Sequence, residues 1–156
     1  MTLRQVIRTI EQVASKQPAV NMIVRNDIFR LSAKSDARYG VFGWTQGQHE
    51  GGIYNNMFTF NFTFFYIDRL TSDMANQVEV QSVGIQVLDN IIKTLNEKGV
   101  YSSGTYRFTT FNQRFLDECA GVFCNITLQV LASSSCADDL EPGDYNNDFN
   151  EDFLIY

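Results

Sequence analysis

The chain has 156 residues, of which 44% are apolar and 13% aromatic, and it contains 10 glycines and 2 prolines. This length and composition fit one folded domain and exclude a disordered, collagen-like or low-complexity protein. The net charge is uneven: residues 1–114 hold all 12 basic and 9 acidic residues, a net charge of +3, and residues 115–156 hold 9 acidic residues and no basic one, a net charge of −9. An acidic C-terminal part repels nucleic acid and attracts basic protein surfaces, so direct recognition of nucleic acid is not predicted.

The N-terminal segment is predicted to form a helix over residues 2–16. Its apolar residues recur at helical spacing, Thr2 and Gln5 fit a capping box, and Pro18 follows its end. Charged residues interrupt the apolar ones, so the segment does not resemble a secretion signal, and no later stretch is apolar over the length needed to span a bilayer. We therefore expect the chain to stay in the cytosol, without a membrane partner.

Two short strands and a loop are predicted next. Residues 20–31 have the pattern of a strand interrupted at Asn26 by a hairpin or bulge, and residues 39–45 that of another strand. Residues 46–56 are rich in glycine around the single histidine, His49, and are expected to form a loop.

The clearest strand signal is a ten-residue alternation over residues 58–67. Every second residue is aromatic, which places five rings on one face, those of Phe58, Phe60, Phe62, Phe64 and Tyr66. A face of this size requires cover, and we expect the following helix to provide it.

A long central helix follows this strand. Thr71, Ser72 and Asp73 are predicted to cap its start, and it is predicted to run to about Glu97 and to end at Gly99.

The apolar residues of this helix form two stripes. The first contains Met74, Val78, Ile85, Leu88, Ile92 and Leu95, and the second contains Val80, Val83, Val87 and Ile91. Together they span an arc of about 220°, whereas a helix that rests on one sheet needs little more than about 100°. Two explanations are open: the sheet covers one stripe and the first helix the other, or the second stripe meets a neighbouring subunit.

Two further strands are predicted over residues 105–111 and 122–130, with a kink or bulge at residues 115–121 between them. The elements together predict an α+β domain over residues 1–132. Its sheet is expected to be antiparallel, with about four to six strands, and to pack against the N-terminal helix and the long central helix.

Residues 133–156 form a separate acidic and aromatic arm in this interpretation. A solvated tail is one alternative, and an extended arm that becomes ordered on a partner is the other. The residues predicted to dock are the aromatic and aliphatic ones, Tyr145, Phe149, Phe153, Ile155 and Tyr156.

Groups that support catalysis are sparse. The sequence contains no GxSxG, HExxH, GxGxxG or GxxxxGK[ST] motif, and its only histidine is expected at the surface. Its cysteines, Cys119, Cys124 and Cys136, fit neither paired disulfides nor a zinc motif and are predicted to be reduced core residues. We predict a protein that is not an enzyme and has no metal and no cofactor. The adjacent Asp68 and Arg69 are predicted to form ion pairs at the junction of strand and helix, or between subunits.

Two blocks, residues 64–95 and 114–131, carry a family resemblance. Their features are FYIDRL at the strand end, NQVEVQSVGI at the entry to the long helix, and DECAG before the last strand. In these features the chain resembles structural proteins of tailed phages and prophages that infect Bacteroidetes, including crAss-like phages. The matching residues are Tyr66, Asp68, Arg69, Leu70, Asn76, Gln81, Ser82, Gly84, Ile85, Asp117, Cys119, Ala120 and Gly121.

The resemblance implies a virion protein that forms a ring in the head-to-tail connector or tail barrel, with a central channel for DNA. Its expected partners are copies of itself and the portal-proximal or tail ring proteins, and it would contact DNA without sequence specificity. Its expected location is the neck or tail of the virion, and the host cytoplasm during assembly. The candidate residues for contact between subunits are Asp68, Arg69, Val80, Val83, Val87 and Ile91. The alternative is a monomeric or dimeric adaptor that assists tail assembly, with the arm folded back on its own sheet.

Overall fold

A computed structural model gives the structure and describes residues 1–26, 38–52, 56–114, 118–132 and 154–155. These residues form two helices and seven strands: α1 (Leu3–Ser15), β1 (Met22–Arg25), β2 (Val41–Gly51), β3 (Met57–Arg69), α2 (Gln77–Glu97), β4 (Tyr101–Ser102), β5 (Arg107–Arg114), β6 (Glu118–Leu131) and β7 (Leu154–Ile155). Neither helix is long and apolar enough to cross a membrane.

The strands form one sheet in the order β4, β6, β3, β2, β1, β7, and β5 pairs with β6 along the same edge as β4. The predicted α+β class is confirmed, and most strand pairs are antiparallel as predicted. The exceptions are at β1, which pairs in parallel with both β2 and β7. A parallel pair needs a crossover connection rather than a tight turn, so the hairpin suggested near Asn26 does not join β1 to β2. The second half of that predicted hairpin lies outside the described residues.

Both helices pack on the aromatic face of β3, where the main core lies. The rings of Phe60, Phe62, Phe64 and Tyr66 are buried there, as predicted, whereas Phe58 is partly exposed. Neighbouring strands add edge-on ring contacts, with centroid distances of 5.5 Å from Phe42 to Phe64 and 6.0 Å from Trp44 to Phe62. Edge-on packing of this kind adds to the free energy of burial.

Helix α1 begins as predicted. The Thr2 side chain accepts a hydrogen bond from the Gln5 amide at 3.3 Å, and the Gln5 side chain accepts one from the Thr2 amide at 2.7 Å. This reciprocal pair satisfies two backbone donors that a helix start otherwise leaves without partners.

Helix α2 begins at Gln77, later than the predicted cap at Thr71, Ser72 and Asp73. The Asn76 amide closes the preceding turn: its oxygen accepts from the Thr71 amide at 2.8 Å and its nitrogen donates to the Arg69 carbonyl at 3.2 Å. Asp73 accepts from the Thr71 hydroxyl inside the same turn. The polar residues predicted as helix caps therefore build a turn before the helix. The predicted end is confirmed, since Gly99 follows α2 with a φ of +80°.

The glycine-rich segment predicted as a loop is largely strand. β2 continues to Gly51 and accommodates the segment through a shift of register against β3 between Gln46 and His49. Pairing with the aromatic face of β3 overrides the local turn signals, because His49 pairs with Phe60 after the shift.

The kink predicted at residues 115–121 is absent from its described part, residues 118–121. There β6 pairs with β3 in unbroken register from Leu131 to Cys119. Gly121 serves close packing instead, since a Cβ atom at this position would overlap the Tyr66 carbonyl oxygen and lie 2.6 Å from the Phe111 ring.

Candidate assembly surface

The second stripe of α2 lies inside the protein. Val80, Val87 and Ile91 are buried, and Val83 is partly buried against the main core, which α1 and the sheet complete. Cover from within the chain therefore accounts for most of the second stripe, and the choice of Val80, Val87 and Ile91 as a contact between subunits is corrected. They fill the core because the helix face around Gly84 lies against Tyr66 and Val122 of the sheet.

Exposed apolar residues of α2 occur instead in the first half of the first stripe. Val78 is 75% exposed and Ile85 is 36% exposed, whereas Leu88, Ile92 and Leu95 further along the same stripe are buried. We call the exposed pair Val78 and Ile85 the α2 flank. Val78 is the more informative of the two, because the described residues leave three quarters of its surface exposed.

The α2 flank lies above the edge strand β5. Gln81 and Asp89 share this side of the helix with the flank, as their spacing from Val78 and Ile85 requires. The Gln81 amide donates to Asn112 Oδ1 at 3.2 Å, and the Tyr106 hydroxyl donates to Asp89 Oδ1 at 2.8 Å. The two hydrogen bonds fix this side of α2 over the chain segment that leads into and along β5.

The contact between Tyr106 and Asp89 involves a charged carboxylate. Hydrogen bonding from Lys93, at 2.6 Å in an i,i+4 ion pair, and then from Tyr106 lowers the pKa of Asp89. Burial, followed by the hydrogen bond to Asp89, raises the pKa of Tyr106 to about 12. At neutral pH the group therefore holds a neutral phenol against an ionised carboxylate.

β5 presents an open backbone edge next to the α2 flank. Its eight residues pair with β6 in continuous register, and no other described strand pairs with it. Between Arg107 and Arg114 the sequence is FTTFNQ, without charge or proline. Natural proteins usually interrupt a long, flat edge with charges, proline or a bulge, because such an edge pairs readily with another chain. Between its two terminal arginines the β5 edge lacks these devices, as is typical of an assembly surface.

A second group of exposed apolar side chains lies at one end of the sheet. Phe58 is 39% exposed at this end, on the face that the helices cover. Tyr101 and Leu131 are 50% and 64% exposed and lie together on the other face, because Leu131 follows the buried Val130 and Tyr101 pairs with Gln129. We call Tyr101 and Leu131 the end patch. Gly84 of α2 lies over Val122 of β6, and α2 runs from there toward β4. The helical rise from Val78 to Gly84 and the strand rise from Val122 to the end patch then add up to roughly 35 Å between Val78 and the end patch.

Next to the opposite edge strand β7 lies β1, which is fixed to α1 by the only buried charged residue among those described. Glu11 of α1 is 2% exposed and accepts two hydrogen bonds from the Arg25 guanidinium, at 2.5 and 2.6 Å. The indole of Trp44 donates to the same carboxylate at 3.2 Å. Hydrogen bonding to Glu11 raises the pKa of Arg25. A buried carboxylate with these donors is satisfied, and its role is to hold α1 on the sheet.

The outer side of β1 carries the end of the chain. β7 pairs with β1 through two residues, with Leu154 opposite Met22 and Ile155 opposite Ile23. Of the residues predicted to dock on a partner, Ile155 therefore pairs within its own chain. The other four, Tyr145, Phe149, Phe153 and Tyr156, lie outside the described residues.

Asp68 and Arg69 have partners inside the chain at the junction of β3 and α2. Asp68 accepts hydrogen bonds from the Tyr66 hydroxyl at 3.4 Å and from the Arg69 amide at 2.7 Å. The Arg69 guanidinium lies 5.1 Å from the centre of the Tyr39 ring, a cation–π contact. Burial and the neighbouring Asp68 carboxylate raise the pKa of Tyr66. The structure thus shows both residues organising the junction.

His49, predicted at the surface, is half-buried against the sheet, and the described cysteines lie in the core. The His49 ring packs against Phe60 and Phe62, its Nε2 lies 3.1 Å from Gln46, and its buried Nδ1 has no hydrogen-bond partner. Cys119 and Cys124 are buried and form no disulfide, as predicted, and burial raises the pKa of Cys124 to about 11. Cys136 lies outside the described residues. Within the described ranges, no three His, Cys, Asp or Glu side chains come together as metal ligands would.

The chain matches no protein-family profile, and no curated protein matches it significantly.

Helical spacing placed Val78 and Ile85 in the first stripe but did not show that they are exposed. The only indication was the length of the stripe, which extends from the buried Leu88, Ile92 and Leu95 back to the start of α2. The β5 edge was not found, because a strand pattern alone does not tell an edge strand from a central one.

Proposed function

We propose that this protein is a non-enzymatic structural subunit that assembles with copies of itself into a ring. The observation that supports this most strongly is the β5 edge, which pairs with no other described strand and is uncharged between its terminal residues Arg107 and Arg114, beside the exposed side chains of Val78 and Ile85. An apolar flank next to backbone groups that no described strand pairs with offers a neighbouring chain both buried area and hydrogen bonds.

A second copy is the occupant that the surface fits best. The end patch of Tyr101 and Leu131 is a different apolar surface on the same molecule, distant from the α2 flank. Contact between two different surfaces of identical copies is heterologous, and it closes into a ring when the rotation per copy divides the circle. The excess of basic residues in 1–114 and of acidic residues in 115–156 adds complementary charge between copies.

The setting we propose is the neck or tail of a tailed phage, which the resemblance of residues 64–95 and 114–131 implies. There the ring joins layers of the connector or tail barrel, next to portal-proximal or tail ring proteins, and leaves a central channel for DNA. The subunit is located in the host cytoplasm until it assembles. Its contact with DNA is non-specific.

A monomeric or dimeric adaptor for tail assembly is the second candidate. The pairing of β7 with β1 in the same chain favours it, because the end of the chain is then folded back on its own sheet.

Native mass spectrometry and negative-stain electron microscopy of the full chain, over a range of concentrations, separate the two candidates. The ring subunit is expected to form closed oligomers of one size. A strict monomer or dimer at every concentration would favour the adaptor and contradict the ring.

A further inference from the structure

We propose that the outer side of β1 accepts β7 from a second copy of this chain, so that neighbouring subunits exchange their C-terminal strands. This inference rests on the proposed self-assembly, which places the second copy nearby. In the single chain, β7 pairs with β1 alone among the described strands, and through two residues only. A pairing of two residues stabilises β7 only weakly on its own sheet.

The length of chain before β7 permits the exchange. In the sheet register, Leu154 lies level with Ile67, whereas Leu131 lies level with Met57, and four strand spacings separate β6 from β7. Strand rise and spacing then give about 33 Å along the sheet and about 19 Å across it, or about 38 Å between Leu131 and Leu154. The intervening chain, when extended, reaches about 75 Å or more. It therefore spans its own sheet with about twofold slack and also reaches an adjacent copy.

The energetics of the contact do not prefer one chain over the other. The same residues of β7 meet the same residues of β1 whether the strand comes from within or from a neighbour. The two arrangements differ in their entropic terms. Pairing within one chain pays the free-energy cost of closing a long loop, whereas pairing between chains depends on the local concentration of β7 that a neighbour in the ring supplies. Assembly raises that concentration, so it shifts the pairing toward exchange.

The composition of the connecting segment fits a path over another copy. Residues 133–153 contain 7 acidic residues and no basic one, whereas residues 1–114 have a net charge of +3. A segment of this charge repels itself and is attracted to the oppositely charged part of a neighbour.

Disulfide trapping between differently mutated full-length chains tests the exchange. One chain carries Ile23→Cys and the other Ile155→Cys, the positions that face each other across β1 and β7. The matched control replaces the first chain by Val24→Cys, because adjacent residues of a strand point to opposite faces of the sheet. After mixing, assembly and mild oxidation, a non-reducing gel measures the disulfide-linked dimer, and mass spectrometry identifies the linked peptides.

We expect the Ile23 and Ile155 pair to give at least tenfold more linked dimer than the Val24 and Ile155 pair. The register pair Met22→Cys and Leu154→Cys provides the same test on the other face of the sheet, should the buried Ile23→Cys chain fail to fold. Its expected result is the same.

A chain that carries both Ile23→Cys and Ile155→Cys separates the remaining outcomes. Rings that form while this chain links only to itself, with no link between mixed chains, would overturn strand exchange and leave the proposed function standing. Loss of rings under all conditions, for the unmodified chain as well, would overturn the proposed function and the exchange with it.

Discussion

Replacement of Val78 by aspartate is expected to abolish self-association and leave the monomer folded. Val78 is 75% exposed, so its removal costs the fold almost nothing, and surface substitutions of this kind usually change stability by less than about 0.5 kcal/mol. As the second residue of α2, an aspartate there also interacts favourably with the N-terminus of the helix.

The effect on assembly is much larger. Burial of the exposed three quarters of a valine is worth about 1 kcal/mol, because full burial of such a side chain gives about 1.5 kcal/mol or more. A carboxylate in the same contact loses this and adds a desolvation cost of about 2 kcal/mol or more. The sum of about 3 kcal/mol weakens each contact roughly 100-fold or more.

Sedimentation velocity or light scattering over a concentration series measures the association, and circular dichroism measures the fold. Asn90→Asp is the matched control, because it adds the same charge at an exposed position of α2 about 120° around the helix from Val78. Its association is expected to stay close to that of the unmodified protein. A folded Val78→Asp chain that associates as strongly as the Asn90→Asp chain would refute the role of the α2 flank.

Three predictions concern the fold that carries this surface. Glu11→Ala removes the carboxylate that Arg25 and the Trp44 indole share, and is expected to lower the free energy of unfolding by about 2–4 kcal/mol in urea titrations; a loss below about 0.5 kcal/mol would contradict a structural role. The Cys124 thiol is expected to resist maleimide at pH 7.5 in the native protein and to react in denaturant, as followed by mass spectrometry, because burial raises its pKa to about 11; rapid labelling of native protein would contradict this. The folded pKa of Tyr106, about 12, lies above the ordinary value of 10, so its contribution to stability is present below about pH 10 and is lost as the pH rises through 12; the 295 nm titration of native protein minus that of Tyr106→Phe is expected to show a tyrosine near 12, and a difference centred at 10 would contradict it.

Where a strong periodicity and a packing requirement agreed, the sequence was sufficient to predict the fold. The alternation of aromatic residues in β3 predicted both the strand and its buried face, because several large rings on one side favour burial, and four of the five rings are buried. The capping box of α1 was equally predictable, since it depends only on Thr2 and Gln5.

The failures occur where a specific contact of the folded chain decides the structure. The glycines around His49 are typical of a loop, yet pairing with Phe60 and its neighbours keeps β2 extended. Thr71 and Asp73 were predicted as helix caps, yet the side chain of Asn76 accepts a hydrogen bond from the Thr71 amide and stabilises a turn, so the helix begins only at Gln77. Spacing and propensity do not predict such contacts, because the contacts depend on how the partner residues are arranged in the folded chain.

The candidate surface was predictable only in part. Helical spacing correctly found an apolar arc wider than one sheet can cover, but it did not show which portion α1 would cover. Val80, Val87 and Ile91 fell inside, and Val78 and Ile85 outside, because the packing of α1 against α2 and the sheet decides this and helical spacing does not. The pairing of Ile155 with β1 had no local signal at all, since two residues are too short for a strand pattern.

Mixing two assembly-defective variants tests the heterologous contact most directly. Val78→Asp blocks the α2 flank and keeps the end patch intact, whereas Leu131→Asp blocks the end patch, where Leu131 is 64% exposed, and keeps the α2 flank. Native mass spectrometry is expected to show each variant alone as a monomer and the mixture as a heterodimer, because one intact contact remains and neither ring nor chain can extend from it. Full rings from Val78→Asp alone, or a mixture that stays monomeric while the unmodified protein forms rings, would contradict contact between these two surfaces.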